Sequence, residues 1–461
     1  MARAHSLEGL MAWSRRPEWR ERFQETLARH VAAACKKFAV PSDDLPELLG
    51  PMGGNLFGCA FEDFLTLEED GQNVVDDYLK RRGWNEGPSD RAYMEGLRHS
   101  VMSLYEASDI VPGKSVLVRD LVRGGDPVRV TEGTATRTLR QWDRIAARLI
   151  PTGAGTVFSG GLLPLDTALA TKVLASLRRV LRQARSETRR MMRAQGHAFD
   201  ETILREATSE TALLCKSAFL ITNHWLDFTL QRMLSPKLPQ FANSEGDPLV
   251  FLTASYPLDP AATPAELRKR LATLPALRPE GRNFWNWLAE KDSRPPRRHT
   301  GPSFVSTMED GSLVLGTLEL KGRKLMLQVN SHPRLARARA LIDPLLAGLV
   351  REPKIRTETP AQLKDSKRAP PPEPPLPPAE ERRIVHASLE RHYRETLDLP
   401  IPALGNLSPR DAARTAKGRA KVADWLKMLE NHTARQDPES PMGSYDFAWM
   451  WEELGLSDRR R

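Results

Sequence analysis

The chain has 461 residues, 40% of them hydrophobic, with 68 lysines and arginines against 59 aspartates and glutamates, for a formal net charge of +9. That length exceeds a single core at roughly 100–200 residues per domain, no stretch approaches the roughly 20 apolar residues of a membrane span, and three scattered cysteines, Cys35, Cys59 and Cys215, leave neither a disulfide framework nor a closed zinc site. The basic excess suits an anionic partner such as nucleic acid without demanding one, and an N-terminus, MARAHSLEGLMAWSRR, without the apolar core of a signal peptide leads us to expect a cytoplasmic protein with reduced thiols.

The predicted fold is α+β and multidomain. Residues 1–110 read as a helical unit. Leu10, Trp13, Trp19, Phe23, Leu27, Val31 and Cys35 recur at mostly three- and four-residue steps across an interruption at Pro17, and a further helix capped by Ser89 carries Tyr93, Leu97, Val101 and Leu104 as its stripe as far as Tyr105. From 111 to 165 the period changes. SVLVRDLVRGGDPVRVTE and DRIAARLIPTGAGTVFSGGLLPL hold four short β-prone runs separated by Gly- and Pro-bearing turns, which predicts a small antiparallel sheet or barrel.

Residues 166–240 return to helix. The first, from Asp166 to Arg193, has Val173, Leu177, Val180, Leu181 and Ala184 on one side and Arg178, Arg179, Arg182, Arg185, Arg189, Arg190 and Arg193 around the rest; the second, about Asp200 to Leu234, includes the apolar run ALLCKSAFLITNHWLDF and reads as buried on most sides. Between 241 and 360 the order strand, helix, hairpin, helix, strand predicts a ferredoxin-like βαββαβ domain, with FWNWLAEKDSRPPRRHTGPS as an irregular insertion between the first helix and the hairpin around Lys321-Gly322. Residues 361–380, SKRAPPPEPPLPP in their middle, form a Pro-rich extended linker. Residues 381–461 then form a small helical bundle.

No catalytic signature interrupts this reading: GxSxG, CxxC, HExxH and Gly-rich phosphate loops are all missing, so we assign no catalytic, cofactor or metal residue. An enzyme with a site dispersed over the chain remains an alternative. His224 and Asp227 stand three apart on one helix, a spacing that a metal uses but that a core histidine also explains. The Arg-rich helix carries Glu187 as the only acid between Lys172 and Arg193. It is read either as a solvated basic face or as a nucleic-acid contact with Arg178, Arg182 and Arg185 on phosphates. Phe284, Trp285, Trp287 and Leu288, beside Arg282, Arg294, Arg297, Arg298 and His299, either anchor their segment to a core or stack on bases.

Near the end of the chain, IPALGNLSPRDAARTAKGRAKVADWLKMLE is punctuated clearly. Ser408 is an N-cap with Pro409 at the first helical position and Asp411 completing a capping box; Thr415 caps the next helix, whose Val422, Trp425, Leu426 and Leu429 form one apolar stripe with Arg419, Lys421, Lys427 and Glu430 outside it. A helix at about 380–398 with Leu389, Tyr393 and Leu397 precedes them. At Pro402, Ala403, Leu404, Gly405, Ser408, Pro409, Ala412, Thr415, Gly418, Val422 and Leu429 the segment resembles the C-terminal toxin-binding domain of Xre/MbcA/ParS-type bacterial antitoxins. The rest, including FEDFLTLEEDGQNVVDDYL, the RGGDPVRV hairpin and LELKGRKLMLQVNSHPRLARARAL, is similar to large uncharacterised bacterial proteins, some with a Cys-rich zinc motif that the three cysteines here do not supply. The chain lacks the helix-turn-helix that usually precedes the antitoxin domain and continues through GSYDFAWMWEELGL. We therefore expect a bacterial, non-enzymatic protein that docks a protein partner through 381–461, as the resemblance suggests, with Leu404, Gly405, Trp425, Leu426 and Leu429 as contact residues and Tyr445, Trp449 and Trp451 of the continuing segment beside them. Neither its oligomeric state nor the identity of the partner follows from the sequence.

Overall fold

A computed structural model describes residues 6–194, 202, 204–205, 208–235, 241–290, 303–308, 310–358 and 377–460. Residues 361–376 of the Pro-rich linker, and Arg294, Arg297, Arg298 and His299, lie outside the described residues. The structure is mixed α and β and divides into two units, one made of residues 1–236 together with 375–461 and the other of residues 237–374.

The larger unit opens with helices. Pro17 does not kink one long helix. It starts a second, so that α1 (Glu8–Ser14) and α2 (Pro17–Phe38) are separate, Pro17 occupying the first-turn position where its missing N–H costs nothing. After α3 (Leu45–Leu49) comes α4 (Pro51–Thr66), then α5 (Val74–Arg82), capped by the Asn73 side chain, and α6 (Pro88–His99). The sequence expectation fails at this point in two respects. The cap of α6 is Gly87 rather than Ser89, and the helix stops at His99. Residues 102–105, expected as its continuation, belong to strand β1 (Met102–Val111). Its first six residues are all buried, and an apolar run buried on both faces has no period that separates strand from helix.

With β2 (Ser115–Asp120), β3 (Val128–Thr131), β4 (Arg144–Thr152) and β5 (Gly155–Leu165), β1 closes a five-stranded barrel in the order β1-β2-β3-β5-β4. Neighbours are antiparallel except β3 and β5, which run parallel. Helix α4 presses against β5 at Gly161, where a Cβ would stand 2.8 Å from the backbone nitrogen and sulfur of Cys59, so only glycine permits the approach. Beyond the barrel run α7 (Thr167–Ala194), α8 (Glu210–Leu214) and α9 (Ala218–Leu234). The long helix expected from Asp200 to Leu234 is therefore interrupted: Ser209 caps α8 with its side chain on the Ala212 N–H, and α9 begins after Ser217. One core joins α2, α4, the barrel wall, α7 and α9 through Val31, Leu56, Leu104, Ala146, Leu163, Val173, Ile221 and Trp225.

The chain returns to this unit at α12 (Pro378–Thr396), which begins inside the stretch read as linker, followed by α13 (Pro409–Ala412), α14 (Ala416–Ala434) and α15 (Ala448–Glu453). Ser408 caps α13 and exchanges hydrogen bonds with Asp411; Thr415 caps α14 on the Gly418 N–H. The elbow between them is tight enough that a Cβ on Gly418 would fall 1.9 Å from the Ala412 carbonyl oxygen, which explains the glycine at that step.

The smaller unit is a six-stranded sheet backed by helices. In chain order come β6 (Ala242–Asn243), β7 (Phe251–Pro257), α10 (Pro264–Leu271), β8 (Leu277–Pro279), β9 (Phe284–Leu288), β10 (Ser303–Phe304), β11 (Val314–Lys321), β12 (Lys324–Val329), α11 (His332–Leu345) and β13 (Lys354–Glu358). The sheet order is β13-β7-β12-β11-β9-β8, every neighbouring pair antiparallel. Leu267, Leu271, Leu335, Ala338 and Ile342 of the two helices pack on Leu252, Ala254, Tyr256, Leu318, Leu325 and Leu327 of the sheet. The segment expected as an irregular insertion is corrected in part. FWNWL is strand β9, and with β8 it extends the sheet, because Trp285 and Trp287 are buried in its core.

Candidate functional site

The Arg-rich helix α7 is the feature that the fold leaves open. Its 28 residues rise about 42 Å at 1.5 Å each. Leu169, Ala170, Val173, Leu177 and Leu181 are buried, whereas Arg178, Arg179, Arg182, Arg185, Arg189, Arg190 and Arg193 are all exposed. Among the described residues no carboxylate pairs with Arg178, Arg179, Arg182, Arg190 or Arg193. Arg185 differs. Its guanidinium donates to the Thr208 carbonyl at 3.3 Å and lies 3.5 Å from Glu210, so of the three phosphate candidates Arg178 and Arg182 are uncommitted and Arg185 holds α7 to α8.

The eight residues predicted to dock a protein occupy different places. Leu404, Trp425, Leu426, Tyr445 and Trp451 are buried in the core of the C-terminal bundle, Leu429 and Trp449 are half-buried against it, and Gly405 is exposed. The indole of Trp449 donates to the Tyr445 hydroxyl at 3.0 Å, and that of Trp451 to Glu430 at 2.9 Å. The stripe of α14 therefore builds the bundle. The opposite, polar face does the docking, and it docks on the barrel. Asp424 lies 2.8 Å from Arg144, Asn431 donates to the Gln141 carbonyl at 2.8 Å and to Asp143 at 2.7 Å, and Arg435 reaches Asp143 at 2.6 Å. Lys427, buried at 7% exposure, ion-pairs with the equally buried Glu106 of β1.

Trp142 is the pivot of this joint. It sits in the left-handed region at φ 66°, rare for a bulky residue, donates its indole N–H to Glu430 at 2.6 Å, and presents its ring 4.2 Å from the Lys427 ammonium. Its backbone is tied to β1, Trp142 N–H to the Ala107 carbonyl and Ala107 N–H to the Asp143 carbonyl, both at 2.8 Å. Sequence reading assigned Lys427 and Glu430 a place outside the apolar stripe and had no signal for the partner strand. The spacing Asp424, Lys427, Asn431, Arg435 was the available clue, since steps of three and four put those four on one face.

A chain of buried polar groups runs through the larger unit and mimics a catalytic relay. Thr222 Oγ1 lies 2.9 Å from His30 Nδ1, and His30 Nε2 lies 3.1 Å from Asp63, which takes a further hydrogen bond from Arg148 at 2.9 Å. Arg148 also donates to the Ser100 carbonyl at 2.7 Å, while Glu62 accepts from Ser159 and from the Gly161 N–H, both at 2.8 Å. Burial pushes the Glu62 carboxyl above its ordinary pKa against the pull of Arg148. A hydroxyl–imidazole–carboxylate line is a nucleophile relay only where the hydroxyl meets substrate. Thr222 and His30 are both 0% exposed, so the network ties α2, α4, α9 and the barrel together and performs no chemistry on a solvent-borne molecule.

The remaining candidates are occupied by protein partners. His224 Nε2 lies 3.0 Å from Ser176, and Asp227 is held by Lys37 and Lys172. Burial raises the Asp227 pKa, but hydrogen bonds from the two lysines outweigh it and leave the group below the ordinary carboxylate value. Burial, then the positive charge of Lys172, lowers the His224 pKa. Among the described residues no cluster of three or more His, Cys, Asp and Glu suits a metal ion, and no helix is long and apolar enough to cross a membrane. A model of a family of unknown function (DUF7986) matches residues 60–200, from within α4 through the barrel and α7. No curated protein and no solved structure matches the chain.

Proposed function

We propose that this protein binds nucleic acid through its phosphate backbone, with α7 as the contact element. The observation that carries the reading is the set of exposed arginines on α7 that no described carboxylate neutralises, on a helix whose apolar side is already used in the core. Each guanidinium placed on a phosphate releases counterions, so several in line give affinity without sequence preference. The barrel supports the same class of function by analogy of fold. Its strand order and its parallel β3–β5 pair follow the path of OB-type barrels, whose outer face over the second and third strands commonly holds oligonucleotides. On that face Arg129 is already paired with Asp109, which leaves α7 as the stronger positive element. Retention of the purified chain on immobilised mixed-sequence DNA and RNA at low salt is the expected result, with loss of retention in Arg178→Ala/Arg182→Ala/Arg193→Ala. Passage of the unaltered chain through both columns at low salt refutes the reading.

A second reading, protein docking by the antitoxin-like C-terminal bundle, is favoured by one loop. At 399–407 an Ile401–Leu407 bridge and left-handed Gly405 and Asn406 hold Leu399 and Leu407 in exposed positions, 41% and 50% accessible, beside buried Leu404. That loop, rather than the Trp425 stripe, is the surface offered to a partner, and Leu399→Asp/Leu407→Asp is expected to abolish any capture by 381–461. We further infer that residues 241–360 are a ferredoxin-like domain widened by two strands, on the sheet order β13-β7-β12-β11.

A further inference from the structure

Seen down its axis, α7 carries its arginines in two rows. At about 100° per residue, Arg178, Arg182, Arg185, Arg189 and Arg193 fall within about 80° of one another, and Arg179 and Arg190 form a second row about 90° further round. Buried Leu169, Val173, Leu177 and Leu181 lie about 130–140° from each row, so the rows flank the direction that points away from the core. Between the rows stands Ser186, short and exposed, with Arg193 at the edge of the first row beside it. Among the described residues, helix α9 meets α7 in its first turns, through Ser176 with His224 and Lys172 with Asp227.

Two rows of cations flanking the outward direction of a helix have the shape of a body that seats in a groove with phosphates on both lips. With Cα atoms about 2.3 Å from the axis and an extended arginine adding about 6 Å, rows 90° apart hold their guanidinium groups roughly 12 Å from each other. The major groove of B-form DNA is about 12 Å wide and admits an α-helix. The major groove of A-form RNA is too deep and narrow for side chains to read. Single strands bound without sequence preference are held largely by stacking on aromatic rings, and α7 has no aromatic residue.

We propose that the ligand of α7 is double-stranded DNA, the helix lying in the major groove from Arg178 onward with its two arginine rows on the phosphates of opposite strands. The proposal rests on the nucleic-acid reading above and narrows it. The arginines are committed to phosphates and Ser186 between the rows offers little to base edges, so binding has little sequence preference. Arg185, tied to Thr208 and Glu210, is part of the scaffold and not a phosphate ligand. The test is fluorescence anisotropy of the full chain with a mixed-sequence DNA duplex of about two helical turns, each of its single strands, and duplex RNA of the same sequence, over a series of salt concentrations. Wild type is compared with Arg178→Ala/Arg182→Ala from one row and Arg179→Ala/Arg190→Ala from the other. The expected result is DNA-duplex binding at least ~10-fold tighter than either alternative, and a log–log salt slope reduced by about 1.8 in each double variant, with thermal melting unchanged. Equal or tighter binding of a single strand or of duplex RNA overturns the groove proposal while the nucleic-acid reading stands. So does a slope that falls only in the Arg178/Arg182 variant. Failure to bind any of the three overturns both.

Discussion

Two long helices of the larger unit, α7 and α14, spend the same kinds of residue in opposite ways. On α14 the charged face is matched group by group against the barrel: Asp424 with Arg144, Lys427 with Glu106, Arg435 with Asp143. On α7 the arginines outnumber every acid within reach, and most stand in water. In sequence both faces read as the solvated side of an amphipathic helix. What separates them is whether a surface of opposite charge has been folded against them. A matched face holds a structure together, and an unmatched one stays in solvent.

The comparison can be broken first at Lys427. Its charge and that of Glu106 are both buried, and removing one partner of such a pair strands the other. Lys427→Ala is expected to cost about 3–5 kcal/mol in urea unfolding and to expose the bundle to protease, whereas Lys427→Met/Glu106→Leu recovers most of the loss; an unaffected single variant would show that the joint is ornamental. A smaller effect belongs to Trp142→Phe, which removes the indole donor from Glu430 but leaves Trp451 and Arg460 on that carboxylate. About 1–2 kcal/mol is expected by the same measurement. Smaller again is the acid behaviour of Asp227. Its native pKa is below the ordinary 3.8, so its contribution to stability is complete above that value and is lost as pH falls through the native one. Asp227→Asn should flatten this acid limb of melting temperature against pH, and an unchanged limb would place the effect elsewhere. The smallest stability change is expected from Arg178→Ala/Arg182→Ala, within about 0.5 kcal/mol of wild type. A larger loss would mean that α7 uses its arginines as α14 uses its charges.

Much of the local structure was legible before any fold was known. Ser408 with Asp411, and Thr415, cap the helices they were read to cap, although Ser89 does not, because a cap is a short-range exchange between a side chain and the backbone a turn away. The hairpin at Lys321-Gly322 and the outward arginines of α7 were legible for the same reason. The errors gather where burial erases periodicity. Residues 102–105, the start of β1, were read as helix because a strand segment buried on both faces has no alternation to show, and FWNWL was read as irregular because its role depends on a neighbouring strand Val314–Lys321 more than twenty residues away.

The candidate sites divide in the same way. The basic helix could be found from a count of charges along one segment. The fate of Trp425, Trp451 and Leu426 could not, since an apolar stripe does not reveal whether its partner is another chain or the helix beside it. By itself, then, the sequence determined the caps at Ser408 and Thr415, the turn at Lys321-Gly322, the basic helix and the mixed α and β character, all of which are set by interactions within a few residues. Only the tertiary structure decided that the strands close into a barrel, that the polar face of α14 belongs to that barrel, that a threonine, a histidine and an aspartate in line are sealed from solvent, and that Arg178, Arg179, Arg182, Arg190 and Arg193 of α7 meet no carboxylate among the described residues. Those are matters of which distant groups meet in a medium of low polarity, where a charge must find its opposite or stay outside.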